Sequence, residues 1–359
     1  FLMSLQEFRD YVANSDVNFD SLSNDEKRQW RETFDKSRQQ APAGAVLNAF
    51  RWTNEGKFAK DEGNYFPTDG FGKYVLKRQG VINEVFSAIH SQLHLQPFNS
   101  TSVYLSGCRG MGKTSDLMLI ASDLKSKDWE VFFFSTAAAI PKGAGAELKD
   151  YALRHKNKKI AVIVDEVASK PHSPLFVDLL KSQLPNVLTV GAAVPRFAPT
   201  NITAVFRKIL RTSDLVLKES DEDVLDLIEY WKGKEVASPE MVVHVSMFLL
   251  NYCGGHVYPV LAFMEYFFTH PEAKEFLADE KEFRRHFFSQ TFVRSTIYRQ
   301  VCSRCFDDGM AIEPNSAKTV SRVLSGREED NDIGTLTRMG WWDSEKQDVL
   351  SALLLNACL

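Results

Sequence analysis

A chain of 359 residues that is 44% hydrophobic and 25% charged has the composition of a folded protein with an ample core, and its length suits two or three domains. Its formal charge of -4 excludes a globally basic nucleic-acid binder while leaving a local basic face open, and no apolar run is long enough to predict a membrane span. Five scattered cysteines, Cys108, Cys253, Cys302, Cys305 and Cys358, make no disulfide framework, which points to an intracellular, reducing compartment.

Residues 1–64 read as a helical arm. Ser4-Leu-Gln-Glu7 and Ser23-Asn-Asp-Glu26 have the spacing of capping boxes, in which a serine and a glutamate three residues on satisfy each other's backbone N–H groups. The helical reading runs to about Gly56, packed on the domain that follows; the alternative is a partner-binding segment exposing Phe50, Trp52 and Phe58. Next comes a loop holding Tyr65 to Phe71, and then a helix with Val81, Val85, Ile89 and Leu93 on one face.

Residues 65–219 carry the chemistry. Thr101 to Leu105 is predicted as a strand and Asp116 to Leu124 as a helix, and between them stands Ser106-Gly-Cys-Arg-Gly-Met-Gly-Lys-Thr-Ser115. Gly107, Gly112, Lys113 and Thr114 match the G-x-x-x-x-G-K-[ST] spacing of a phosphate-binding loop. The glycines let backbone N–H groups turn inward, so that Gly107, Cys108, Arg109, Gly110, Met111, Gly112, Lys113, Thr114 and Ser115 would cradle phosphates at a helix N-terminus. Lys113 would reach the β- and γ-phosphates of ATP, and the Thr114 hydroxyl would ligate Mg²⁺.

Further strand and helix signals alternate. They are a strand at Trp129 to Ser135, a helix at Glu147 to His155, a strand at Ile160 to Val164, a helix at Leu175 to Ser182, a strand at Val187 to Ala193, and a short last strand at Leu215 to Lys218. Such alternation predicts an α/β, three-layer sandwich around a mainly parallel sheet. The apolar run Ile160 to Val164 ends in Asp165-Glu166, which places Asp165 as a second Mg²⁺ ligand and Glu166 as the base that orients the attacking water. Arg196, just past the Val187 to Ala193 strand, is the leading candidate to neutralise charge at the γ-phosphate, with Arg207 and Arg211 as weaker candidates, in the same subunit or offered to a neighbour in a homo-oligomer.

Residues 220–310 turn helical and read as a lid. Helices are expected at Asp221 to Trp231, Met241 to Tyr252 and Val260 to Phe268, then continuously over Phe283 to Phe306. The turn Gly254-Gly-His-Val-Tyr-Pro259 would bring His256 or Pro259 against the adenine or ribose. Cys302-Ser-Arg-Cys305 is a lone pair without further zinc ligands and reads as structural. Residues 311–359 suggest a winged-helix-like unit: a helix at Ala317 to Leu324, a hairpin around the polar turn Asp343 to Gln347, and an apolar tail.

The loop ending in Lys113-Thr114, the Asp165-Glu166 strand end, the Val194-Pro-Arg196 segment, the approach Leu210 to Leu215, the Gly254-Gly-His256 turn and Trp341-Trp-Asp343 together resemble a P-loop NTPase of the AAA+/STAND group. Within that group the chain is similar to the NTPase module of Crinkler effectors and retrotransposon-hot-spot proteins. The AAA+/STAND resemblance implies adenine cupping by Tyr65 to Phe71 and a C-terminal unit that clamps the nucleotide domain, and the Crinkler resemblance implies work in a host-cell nucleus on DNA or a host nuclear protein. The start without Met and the end on Leu359 suit a module of a longer protein. The expected function is Mg²⁺-dependent ATP hydrolysis driving a conformational switch in the nucleus or cytoplasm, with no membrane partner. A nucleotide-dependent scaffold that hydrolyses little is the rival, and a small-molecule or nucleotide kinase is disfavoured because the lid is mostly apolar, with its arginine cluster at Arg284-Arg285. The sequence has no N-K-x-D guanine-reading motif, which favours ATP.

Overall fold

The structure is a computed structural model, and it describes residues 23, 26–28, 47, 50–52, 58–61, 64–67, 76–93, 101–136, 140, 143–167, 184, 186–193, 208–306, 342–343 and 348–349. Its centre is a five-stranded sheet of β3 (Thr101–Ser106), β4 (Glu130–Phe134), β5 (Ile160–Val164), β6 (Val187–Ala193) and β7 (Lys208–Leu210), following the hairpin strands β1 (Phe58–Asp61) and β2 (Asn64–Pro67). The spatial order is β4-β5-β6-β3-β7, and every neighbouring pair is parallel. Thus β6 lies between the strand that leads into the phosphate loop and the strand that ends in the acidic pair.

The period of a strand divides one apolar run between two cores. In β5, Ala161 and Ile163 join the packing of α1 (Gln79–Leu93) and α2 (Lys113–Ser126), while Ile160, Val162 and Val164 join that of α3 (Ala144–Arg154). All five β5 residues are buried. Each such aliphatic side chain contributes about 1.5–3 kcal/mol when taken fully out of water, so a strand covered on both faces needs no polar alternation. The result is the expected three-layer α/β P-loop sheet.

The edge of β4 is covered by residues 50–52. The Trp52 N–H donates to Val131 O at 2.8 Å and the Phe133 N–H to Phe50 O at 2.8 Å, in an antiparallel bridge of Arg51 to Phe132. This corrects the helical reading to Gly56, because unpaired edge groups of β4 offer Phe50–Trp52 more than an isolated turn could. It also overturns the exposed, partner-binding alternative at these residues: Trp52 is buried, and Phe50 stacks on Phe134 with centroids 4.7 Å apart. Ser23 and Glu26 do form a capping box, with the Ser23 N–H donating to the Glu26 carboxylate at 2.8 Å. Tyr65 lies on β2, paired with Lys60 of β1 in a hairpin that straddles residue 64, rather than in a loop.

The last strand is also corrected. It is Lys208–Leu210, and Thr212–Leu215 forms a helical turn, α4, where Leu215 to Lys218 was expected to be extended in the sheet. The Arg211 N–H donates to the Asp214 carboxylate at 2.7 Å, which starts that turn, and the Leu217 N–H goes to Gly255 O at 2.8 Å, so it has no sheet partner.

The lid follows as α5 (Glu222–Lys232), α6 (Pro239–Tyr252), α7 (Val257–Thr269), α8 (Pro271–Lys274), α9 (Glu280–Phe287), α10 (Gln290–Val293) and α11 (Thr296–Phe306). The continuous helix expected over Phe283 to Phe306 is therefore three helices. Ser289 Oγ accepts from the Phe292 N–H at 3.1 Å and Ser295 Oγ from the Tyr298 N–H at 3.3 Å, each restarting a helix with a serine cap. Helix α7 begins three residues earlier than expected, taking Pro259 into its first turn, where no intrahelical N–H is needed. Strands β8 (Trp342–Asp343) and β9 (Asp348–Val349) pair antiparallel around the expected polar turn. The helices expected at Leu175 to Ser182 and Ala317 to Leu324 lie outside the described residues.

Candidate functional site: a phosphate loop under a helical lid

The loop between β3 and α2 has the geometry its spacing requires. Gly112 caps α2 with φ +82°, a left-handed conformation that costs glycine nothing and a residue with a Cβ about 1 kcal/mol or more. The side chains of Cys108 and Met111 point away into the core, so these two residues can offer a ligand only their backbone N–H groups. Burial pushes the Cys108 thiol up to about 11, which keeps it protonated and inert. Gly107, like Cys108, is buried, whereas Arg109 and Thr114 are exposed and Gly110, Lys113 and Ser115 are half-buried.

Lys113 folds back over the loop. Its Nζ donates to Gly107 O and Cys108 O, both at 2.7 Å, and burial pushes its pKa down. An ammonium satisfied only by two neutral carbonyls is poised to exchange them for the stronger charge-assisted bonds of phosphate oxygens.

The structure brings the acidic pair to the same place. Thr114 Oγ1 donates to Asp165 Oδ2 at 2.6 Å, across two strands that are not neighbours. Burial raises the Asp165 pKa, opposed by the Thr114 bond, the Glu166 N–H and Lys113. A buried carboxylate beside a hydroxyl, at the mouth of a phosphate loop, fits a Mg²⁺ ion that takes few protein ligands and completes its octahedron with phosphate and water. No cluster of three or more His, Cys, Asp or Glu side chains able to hold a metal occurs among the described residues.

Glu166 is exposed and has φ +42°. Its N–H donates to Asp165 Oδ1 at 2.8 Å, so the left-handed backbone is held by the side chain of its own neighbour. That strain aims the two carboxylates differently: Asp165 into the protein, Glu166 out towards solvent.

The lid meets the loop through the N-terminus of α7. The Tyr258 N–H donates to Gly110 O at 2.8 Å, and a Cβ at Gly112 would sit 3.7 Å from Val257. His256 caps that helix and is 2% exposed, and neither of its ring nitrogens has a hydrogen-bond partner. Burial, with the Lys113 ammonium adding to it, pushes its pKa down to about 4. Leaving buried polar atoms unpaired costs about 1–3 kcal/mol each, a penalty that a ligand at the core–lid junction would relieve.

Arg196 and Arg207 lie outside the described residues; Arg211 is exposed at the start of α4. Cys302 and Cys305 sit on α11, half-buried and buried. Sequence reasoning missed Arg78, whose guanidinium forms a buried ion pair with Asp116 on α2. The available signal was Asp116 itself, an acid directly ahead of the apolar run Leu117 to Ala121, which demands a buried partner.

No protein-family model and no curated protein matches the chain. Among solved structures it is similar to the FIGL-1 AAA domain, at 12% identity and a TM-score of 0.43, over 79% of this chain and 98% of that one. It is also similar to the RuvB Holliday junction branch migration motor of Thermotoga maritima, at 12% identity and a TM-score of 0.38, over 78% and 88% of the two chains. Drosophila ORC bound to DNA matches at 11% identity and a TM-score of 0.39, over 76% and 74%.

Proposed function

We propose that this chain binds ATP with Mg²⁺ at the phosphate loop and hydrolyses it, and that the bound state sets the position of the lid. The observation that carries this reading is the 2.6 Å contact of Thr114 with Asp165, made next to Lys113, whose ammonium bonds the carbonyls of the same loop. Lys113 leaves its loop carbonyls to hold the β- and γ-phosphates. Thr114 and Asp165 hold Mg²⁺, which when bound neutralises phosphate charge and acts as a Lewis acid. Glu166, exposed and turned outward, accepts the proton of the attacking water, and Arg196 counters the charge that develops on the transferred group. His256 contributes a contact from the lid to the nucleotide.

In the wider setting, this is the ATPase module of a longer Crinkler-like protein that acts on a protein or nucleic-acid partner, alone or as a homo-oligomer, in the nucleus or cytoplasm. The scatter of the five cysteines along the sequence, which makes no disulfide framework, supports a reducing compartment. The test is Asp165→Asn. It is expected to weaken ATP binding and turnover together, since it removes charge from the ion's ligand; loss of neither, measured by calorimetry and phosphate release, would overturn the reading.

A further inference from the structure

Arg78 stands in the three residues that lead into α1, and it is 4% exposed with φ +52°. Its Nε donates to Asp116 Oδ1 at 2.9 Å and its Nη2 to Asp116 Oδ2 at 3.4 Å. The same Nη2 donates to Leu215 O at 2.6 Å, and the Arg78 backbone N–H donates to Asp223 Oδ1 at 3.0 Å. Beside it, Lys77 Nζ donates to Asp226 Oδ2 at 2.6 Å. One residue therefore touches the first turn of α2, the link after β7, and the first helix of the lid.

Stability alone does not explain the arrangement. A buried ion pair must overcome the desolvation of both charges, and apolar side chains of similar volume often serve a core as well or better. A left-handed backbone is costly for a residue with a Cβ and persists where its surroundings over-determine it. What the guanidinium adds is fixed, forked geometry between α2 and the link after β7, while the backbone N–H of the same residue holds Asp223 of α5.

We infer that Arg78 is a positioning residue that couples the phosphate loop to the lid; this rests on the nucleotide reading above. Asp116 lies in the same helical turn as Lys113 and Thr114, three residues beyond the lysine. Any shift of that turn when the loop fills moves the Asp116 carboxylate, and Asp116 is 0% exposed, so no water can take over its bonds. Arg78 follows, carrying the Leu215 carbonyl and Asp223 with it. The same link is gripped from the lid side: the Leu217 N–H donates to Gly255 O at 2.8 Å, and a Cβ at Gly255, where φ is +71°, would lie 2.2 Å from Leu217 O. Residues 211–217 thus act as a hinge held at both ends.

The experiment measures amide hydrogen exchange over residues 219–239 in the full chain, with and without ATP and Mg²⁺, alongside ATP affinity by calorimetry. ATP is expected to slow exchange there about tenfold in the wild type. Asp223→Ala leaves the Arg78–Asp116 pair intact; it is expected to keep ATP affinity within about twofold of wild type while the ATP-dependent slowing largely disappears. Arg78→Ala would strand a buried charge and unfold the site, so the second variant is Arg78→Met with Asp116→Leu, which refills the space with apolar groups. It is expected to bind ATP and to lack the slowing; if it does not fold, Asp223→Ala alone decides. Wild-type slowing in either folded variant, or ATP binding by the wild type without any slowing, overturns the coupling alone. A wild type that binds no ATP overturns the nucleotide reading and the coupling with it.

Discussion

The sheet and the lid bury their residues by different physics. Around the sheet, Arg78, Asp116, Glu130 and Asp165 are all buried charged groups, each with directional partners. Among the described lid residues the buried polar ones are Ser246 and His256, and cohesion comes from aromatic packing: Phe287 lies 4.7 Å from Tyr252 and 5.0 Å from Phe248 and Phe292, ring centre to ring centre. The lid's apolar residues run on into one hydrophobic cluster with the α1 and α2 side of the sheet, from Met111 and Leu117 to Val257 and Phe287. Its position on that shared core is fixed by hydrogen bonds from Tyr258 to Gly110 and from Leu217 to Gly255, together with the Arg78 contacts and the Lys77–Asp226 bond. Directional bonds of this kind tie the lid's position to the turn that carries Asp116.

The contrast is broken most severely at Glu166. Because it is exposed and accepts no bond that holds the fold, Glu166→Gln is expected to keep ATP affinity near wild type and to lower turnover by roughly 10²–10⁴-fold. Phosphate release at the wild-type rate would show that the left-handed turn at this residue merely ends a strand.

On the lid side, Phe287→Ala removes a side chain that is 1% exposed and is expected to cost about 3–5 kcal/mol of stability in urea unfolding. The folded fraction should still bind ATP normally. A tenfold loss of ATP affinity in folded chains would show that the aromatic core and the phosphate loop are not separable.

His256 tests the seam between the two regions. Its folded pKa of about 4 lies below the ordinary 6.5, so between those values the unfolded chain binds the proton and the folded chain does not. Stability from this group is therefore complete above pH 6.5 and is lost as pH falls towards 4, by roughly 3 kcal/mol. Asp116 and Asp165, whose pKa values burial raises, act in the opposite direction and are common to both chains in a comparison of wild type with His256→Leu. That variant should lose less stability between pH 7 and 4.5 than the wild type; parallel curves would place the imidazole in solvent.

How much of this was legible depended on the range of the deciding interaction. The strand Ile160 to Val164 and the loop at Gly107 to Thr114 could be read directly, since an unbroken apolar run and a fixed glycine spacing are local signals. The last strand was not: Leu215 to Lys218 looks as extended as Lys208–Leu210, and what decides is the carbonyl of Gly255, far along the chain. The breaks at Ser289 and Ser295 were hidden because the apolar period continues across them. Arg78 was illegible for a related reason, its partners being Asp116, Leu215 and Asp223. Glu166 was legible as chemistry but not as geometry, since nothing local announces a positive φ in a glutamate.

The assignment of the phosphate loop rests on Lys113, whose ammonium is held by two carbonyls of its own loop. Isothermal calorimetry of ATP with Mg²⁺ on the wild type and Lys113→Ala tests it most directly. The wild type should bind, and the variant should bind about five- to tenfold more weakly or worse, having lost the mobile cation over the β- and γ-phosphates. Equal affinity in the two chains would contradict the site.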